Sequence, residues 1–118
     1  MLKVTSAPAE EPVSLAEAKA HLKVDYTADD DYITALITAA RQQAEEYTNL
    51  ALIDTTYEQA FDGFPVTTRL NPYQSLVLWR SPLISVTSVV YTAEDGTSIT
   101  EDAANYKVDT YRRPPSVS

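Results

Sequence analysis

The sequence changes its apolar period once, near residue 50, and that switch limits what it can fold into. From Ser14 to Asn49 apolar residues recur at helical spacing, and from Ile53 onward they alternate. Ser14 is a good N-cap, with Glu17 three residues later, so a capping box opens a first helix carrying Leu15, Ala18 and Leu22. Val24 to Thr27 connects it to a second helix, capped by Thr27 or Asp29 and closed near Asn49. Helices are predicted over about 14–24 and 28–49. On the second, Ile33, Leu36, Ile37, Ala40, Ala44 and Tyr47 form one apolar stripe, with Arg41, Gln42, Gln43, Glu45 and Glu46 mostly off it. Ala35, Ala39, Ala40 and Ala44 are small enough for another helix to approach closely. One short first helix cannot cover so long a partner, so Ile33, Leu36, Ile37, Ala40 and Ala44 are candidates for core or for a face between subunits.

The region 52–111 reads as strand-rich. Ile53, Thr55, Tyr57, Gln59 and Phe61 alternate with Asp54, Thr56, Glu58 and Ala60. Asp62 to Pro65 is a turn, 66–70 a short strand, 71–74 a break, and Leu76 to Trp79 a further strand. Ile84 to Thr92, rich in Val, Thr, Ser and Tyr, is the strongest strand signal. Glu94-Asp95-Gly96 turns it into a return strand over Thr97 to Thr100. One helical turn over 101–105 and alternation over Tyr106 to Thr110 follow. Residues 1–13, with Pro8 and Pro12, read as an extended leader, and 112–118 as a tail that cannot be a sheet interior. The expected organisation is one domain over 14–111. The expected fold class is α+β: an N-terminal antiparallel helical pair packed with a small antiparallel sheet and hairpin region.

With 118 residues, 44% of them hydrophobic, one domain with a modest core is expected. No stretch approaches the ~18 apolar residues of a membrane-spanning helix, and the first residues do not read as a signal peptide. The absence of cysteine removes disulfides, thiolate metal sites and thiol nucleophiles, and is compatible with a reducing compartment. The net charge is −8, from nine acids and four bases in residues 1–50 and eight and five in 51–118. Acidity spread in this way repels nucleic-acid phosphates and anionic membranes. It still permits a channel through which DNA passes without sticking.

The residues carry no arranged chemistry. His21, the only histidine, lacks a partner for proton transfer and reads as a surface or interface residue. Asp29, Asp30 and Asp31 splay around a helix axis and compensate its N-terminal dipole; they do not converge on one ion. Gly63 and Gly96 are the only glycines, too few for a phosphate-cradling loop. The eight tyrosines suit strands or interfaces. No catalytic residue, cofactor or metal is expected. Arg112, Arg113, Pro114 and Pro115 read either as a solvated tail or as a stiff, cationic docking arm.

The run Glu11 to Val24 resembles the opening of the small head-tail connector (adaptor) proteins of long-tailed bacteriophages. The likeness continues through Asp29-Asp30-Asp31-Tyr32-Ile33 to Glu45-Glu46-Tyr47-Thr48. It resumes in Phe61 to Pro65, Ser81 to Val89, Tyr91 to Gly96 and Tyr106 to Thr110. Relatives commonly continue past the Tyr-x-Val-Asp-Thr strand with another strand, whereas this sequence stops at Ser118. The resemblance implies a non-enzymatic virion protein of the phage neck, present in the host cytoplasm during assembly. It implies a ring of neighbouring copies, dodecameric, under the portal protein, with a stopper or tail-completion protein below. Genomic DNA would pass through the lumen unbound, and no membrane is involved. The Arg112-to-Pro115 arm would then dock on the portal. Another virion accessory or interaction module without portal binding is the alternative. An enzyme lacks an acid, base, nucleophile or metal set, and a DNA-binding helix-turn-helix lacks bases, since the second helix carries only Arg41. Leu36→Asp is expected to abolish folding.

Overall fold

The computed structural model describes residues 1–66, 69 and 74–118. They comprise two helices and small antiparallel sheets, an α+β arrangement. The chain forms two compact units, Leu2–Gln59, and Met1 with Ala60–Ser118. The body expected over 14–111 is shared between them.

In the first unit, β1 (Leu2–Ser6) pairs antiparallel with β2 (Thr56–Gln59), matching Val4 to Tyr57. Of the leader expected over 1–13, Leu2–Ser6 is a paired strand, and residues 9–10 and 12–13 bend. Residues 51–60 alternate half-buried and exposed without a break, with Ile53, Thr55, Tyr57 and Gln59 inward. This is the pattern the sequence predicts; Phe61, expected to continue it, is exposed.

Helix α1 (Leu15–Leu22) opens with the predicted capping box: the Glu17 N–H donates to Ser14 Oγ at 3.1 Å and the Ser14 N–H to Glu17 Oε1 at 3.3 Å. It closes with Lys23 in the left-handed region, where the Lys23 N–H reaches the Ala20 carbonyl and the Val24 N–H the Lys19 carbonyl. These are the paired bonds of a Schellman motif. Ser14→Ala removes the acceptor of one orphan N–H, and a helix of eight residues has little else to hold its first turn. The expected loss is about 1 kcal/mol, measurable by chemical denaturation; no change would show that the box is idle.

Helix α2 (Asp30–Thr48) ends at Asn49, also left-handed. Asp29 occupies the N-cap position, but its side chain makes no cap bond and instead accepts from the Tyr26 hydroxyl at 3.1 Å. Lys19 Nζ lies 2.7 Å from Asp30 Oδ1 and ties α1 to α2.

The second unit holds β3 (Leu76–Val77), β4 (Val90–Thr92), β5 (Ser98–Thr100), β6 (Val108–Asp109) and β7 (Ser116–Val117). β4 and β5 form the predicted hairpin. Its turn holds Gly96 at φ +86°, with the Gly96 N–H on the Ala93 carbonyl and the Ala93 N–H on the Thr97 carbonyl. The Asp95 carboxylate accepts from the Thr97 N–H at 2.9 Å. Hydrogen bonds from the Thr97 side chain and backbone hold the Asp95 carboxyl below its ordinary pKa. A depressed carboxyl stabilises the turn above its unfolded-state pKa and loses that contribution as pH falls through the depressed value. The Thr97 amide protection factor should thus fall as pH drops below about 4, and Asp95→Ala should lower it at neutral pH. Protection unchanged down to pH ~2 would refute this.

Two strand expectations need correction. Of 84–92, only Val90–Thr92 pairs. Leu83, Val86 and Val89 are half-buried at intervals of three, with the residues between them exposed. Burial at every third residue does not suit a strand, whose side chains alternate with a period of two. Residues 112–118 are also more than a tail, since β7 is the central strand of a sheet ordered β3-β7-β6. Proline cannot donate to a ladder, but Pro115 precedes β7 and only accepts, from the Leu78 N–H at 2.9 Å. Pro115, Ser116 and Val117 are buried. The predicted turn at 101–105 is a 3-10 turn over Ala103–Asn105, capped by Asp102. The strand expected at 66–70 and the break at 71–74 fall mainly on Thr67, Thr68 and 70–73, outside the described residues.

Candidate assembly interface

One line along α2 faces its own unit: Ile33, Ile37, Arg41 and Glu45, at steps of four. Ile33 is 5% exposed, and it is the only buried hydrophobic residue among the described residues of this unit. Arg41 and Glu45, expected off the buried face, lie on it. Arg41 Nε donates to Glu11 Oε2 at 2.6 Å and Nη1 to Glu45 Oε2 at 3.3 Å. Thr38 Oγ1 donates to Glu11 Oε1, the Leu52 N–H to Glu45 Oε1, and the Tyr57 hydroxyl to Glu45 Oε2. The hydrogen bond to Glu11, foremost, raises the Arg41 pKa against the desolvation that lowers it. One guanidinium thereby clamps the segment before α1 to α2. Glu45 carries the link on to the segment after α2 and to β2.

The adjacent line of α2 is left uncovered. Tyr32 is 66% exposed, Leu36 47% and Tyr47 88%, and Ala39, Ala40 and Gln43 between them are also exposed. The predicted stripe is thus divided. Ile33, Ile37 and Ala44 turn inward, while Leu36 and Ala40 turn outward. Leu36, expected to be needed for folding, is therefore not part of the buried face. The helix lengths account for the division, since α2 with 19 residues spans about 28 Å and α1 with eight about 12 Å.

Apolar exposure extends through the chain, including Phe64, Trp79, Ile84 and Tyr111. The total accessible surface is 9288 Å². A monomer of this mass exposes roughly 6,300 Å², and two separate bodies of half the mass roughly 7,700 Å². Surfaces of this kind mark contacts with other proteins.

Between β6 and β7 the chain presents Tyr111, 97% exposed, followed by exposed Arg112, Arg113 and Pro114. The Asp109 carboxylate accepts from the Tyr111 N–H at 3.0 Å and from the Arg112 N–H at 3.2 Å, which fixes the loop. Pro115, expected in the same arm, is buried in its own sheet. His21 is exposed on α1. Among the described residues no three His, Asp or Glu side chains cluster as metal ligands, and no helix is long and apolar enough to cross a membrane.

A model of the phage gp6-like head-tail connector proteins matches residues 12–80, more than half of the chain. The chain belongs to this family. The match confirms the resemblance over residues 12–80, while the blocks quoted from Ser81 onward lie outside it. No curated protein and no solved structure matches. Head-tail connectors are structural phage proteins, and membership implies a place in the virion neck and contact with other head or tail proteins. The matched span takes in α1, α2, β2 and β3 of this connector, including the uncovered stripe and the Arg41–Glu45 pair but not Glu11. The Tyr111-to-Pro114 loop lies outside it.

Proposed function

We propose that this connector assembles as a ring of copies, dodecameric, beneath the portal protein. The ring extends the DNA channel and joins the capsid to a stopper or tail-completion protein below. Assembly takes place in the host cytoplasm before the particle is complete. In each copy α1 and α2 act as an antiparallel helical pair in the unit that also holds the β1-β2 sheet. The observation that carries this reading is the uncovered apolar line of α2, with Tyr32, Leu36 and Tyr47 exposed. A ring covers such a line with a different patch of the next copy, because a heterologous contact needs two complementary surfaces per subunit. The net charge of −8 suits a lumen wall that does not retain passing DNA. Mixing the purified connector with the portal protein of the same phage tests the proposal. Co-migration of the two as one stoichiometric particle supports it, and a folded connector that leaves intact portal rings bare contradicts it.

A further inference from the structure

We propose that the loop Tyr111-Arg112-Arg113 of one copy seats on the C-terminal half of α2 of the next copy. The proposal rests on the ring reading above and names the contact that closes it.

The two surfaces match in charge and in shape. On α2, Ala39, Ala40 and Gln43 form a low stretch between the larger Leu36 and Tyr47, all of them exposed. Glu46, seven residues after Ala39, borders that stretch and is exposed. The last turn of α2 holds no basic residue, so the negative end of the helix dipole is left without a cation. Arg41, the only base on α2, is buried in its clamp. The site therefore calls for an apolar group carried beside positive charge.

The loop offers that combination. Tyr111 is almost wholly exposed, Arg112 and Arg113 follow it, and neither guanidinium forms a salt bridge with a described residue. The Asp109 carboxylate holds the Tyr111 and Arg112 amides, so this stretch of backbone is already ordered before docking. Tyrosine and arginine are also the residues that most often dominate interface energies. A contact of α2 with α2 would bring the bordering Glu46 of each copy together with no exposed base on the helix to offset them. The loop and the stripe are different patches, as head-to-tail closure requires.

The connector has no cysteine, so introduced pairs report cleanly. Two variants, Thr110→Cys and Gln43→Cys, are mixed, assembled on the portal and treated with a short bismaleimide. The expected product is a covalent dimer of one Thr110→Cys and one Gln43→Cys copy, well above that obtained with Ser98→Cys in place of Gln43→Cys. Charge reversal is the second arm. Arg112→Glu with Arg113→Glu should weaken assembly about tenfold or more, and adding Glu46→Arg to the same chain should restore much of it, because like charges at a contact repel and opposite ones attract. A ring that forms without the cross-link, or that ignores the reversal, overturns this contact and leaves the ring reading standing. A folded connector that forms no ring at all overturns both.

Discussion

Arg41→Ala should cost the connector about 3–5 kcal/mol, the range for breaking a buried ion pair by removing one partner. The loss is large against a total stability of about 5–15 kcal/mol. The Arg41 side chain is 7% exposed and that of Glu45 5%, so deleting the guanidinium leaves Glu45 buried without its cation. Glu11, 23% exposed, can recover water more easily and dominates the loss less. The Leu52 N–H and the Tyr57 hydroxyl still reach Glu45, but two neutral donors do not replace a charge. Arg41→Lys should recover only part of the loss, because an ammonium cannot present the planar fork that meets both Glu11 and Glu45. Glu45→Ala should be costly by itself. The double variant should cost much less than the two single losses added, because the second removal takes away a charge already stranded. Urea denaturation of the four proteins measures this. A single loss below about 1 kcal/mol, the value of an exposed pair, would show that the clamp is a surface ion pair.

Ile33→Asp and Leu36→Asp, three residues apart on the same helix, should fail in different ways. Ile33 is 5% exposed and central to its unit, so an unpaired carboxylate there should abolish folding, at a cost of about 4 kcal/mol or more. Leu36 is 47% exposed, and the same substitution should change monomer stability by less than about 1 kcal/mol. On the ring reading, Leu36→Asp should nonetheless prevent assembly, because it places a charge in an apolar contact. Circular dichroism with thermal melting reports the first effect and sedimentation with the portal the second. Unfolding by Leu36→Asp would return Leu36 to the core. Normal assembly by the same variant would remove this line from any interface.

Local chemistry was readable from sequence wherever neighbouring residues decide the outcome. Ser14 and Glu17 sit three apart and form the capping box; Ile53 to Gln59 alternate and face as their alternation predicts; Gly96 supplies the left-handed turn of the hairpin. Long-range pairing was not readable. β1 pairs with a strand more than 50 residues away, and nothing within Leu2 to Ser6 names that partner. The prolines before Ser116 suggested an end to regular structure, yet they stand outside the two residues that donate to the ladder. Arg41 and Glu45 were placed on the solvated side because of their charge. Their spacing, four and eight residues after Ile37, gave the true position, and periodicity outweighed residue type because each charge had a partner. The division of the α2 stripe could not be read either, since it depends on how far α1 reaches. The Tyr111 loop was visible only as two arginines before a proline pair; the Asp109 bonds that shape it come from the fold.

The most direct test of the central claim is cryo-electron microscopy of the connector mixed with portal rings of the same phage. The account predicts a coaxial ring of this chain stacked on the portal, with the uncovered line of α2 buried against the neighbouring copy. Intact portal rings that carry no added density, with the connector shown to be folded and in excess, would contradict it.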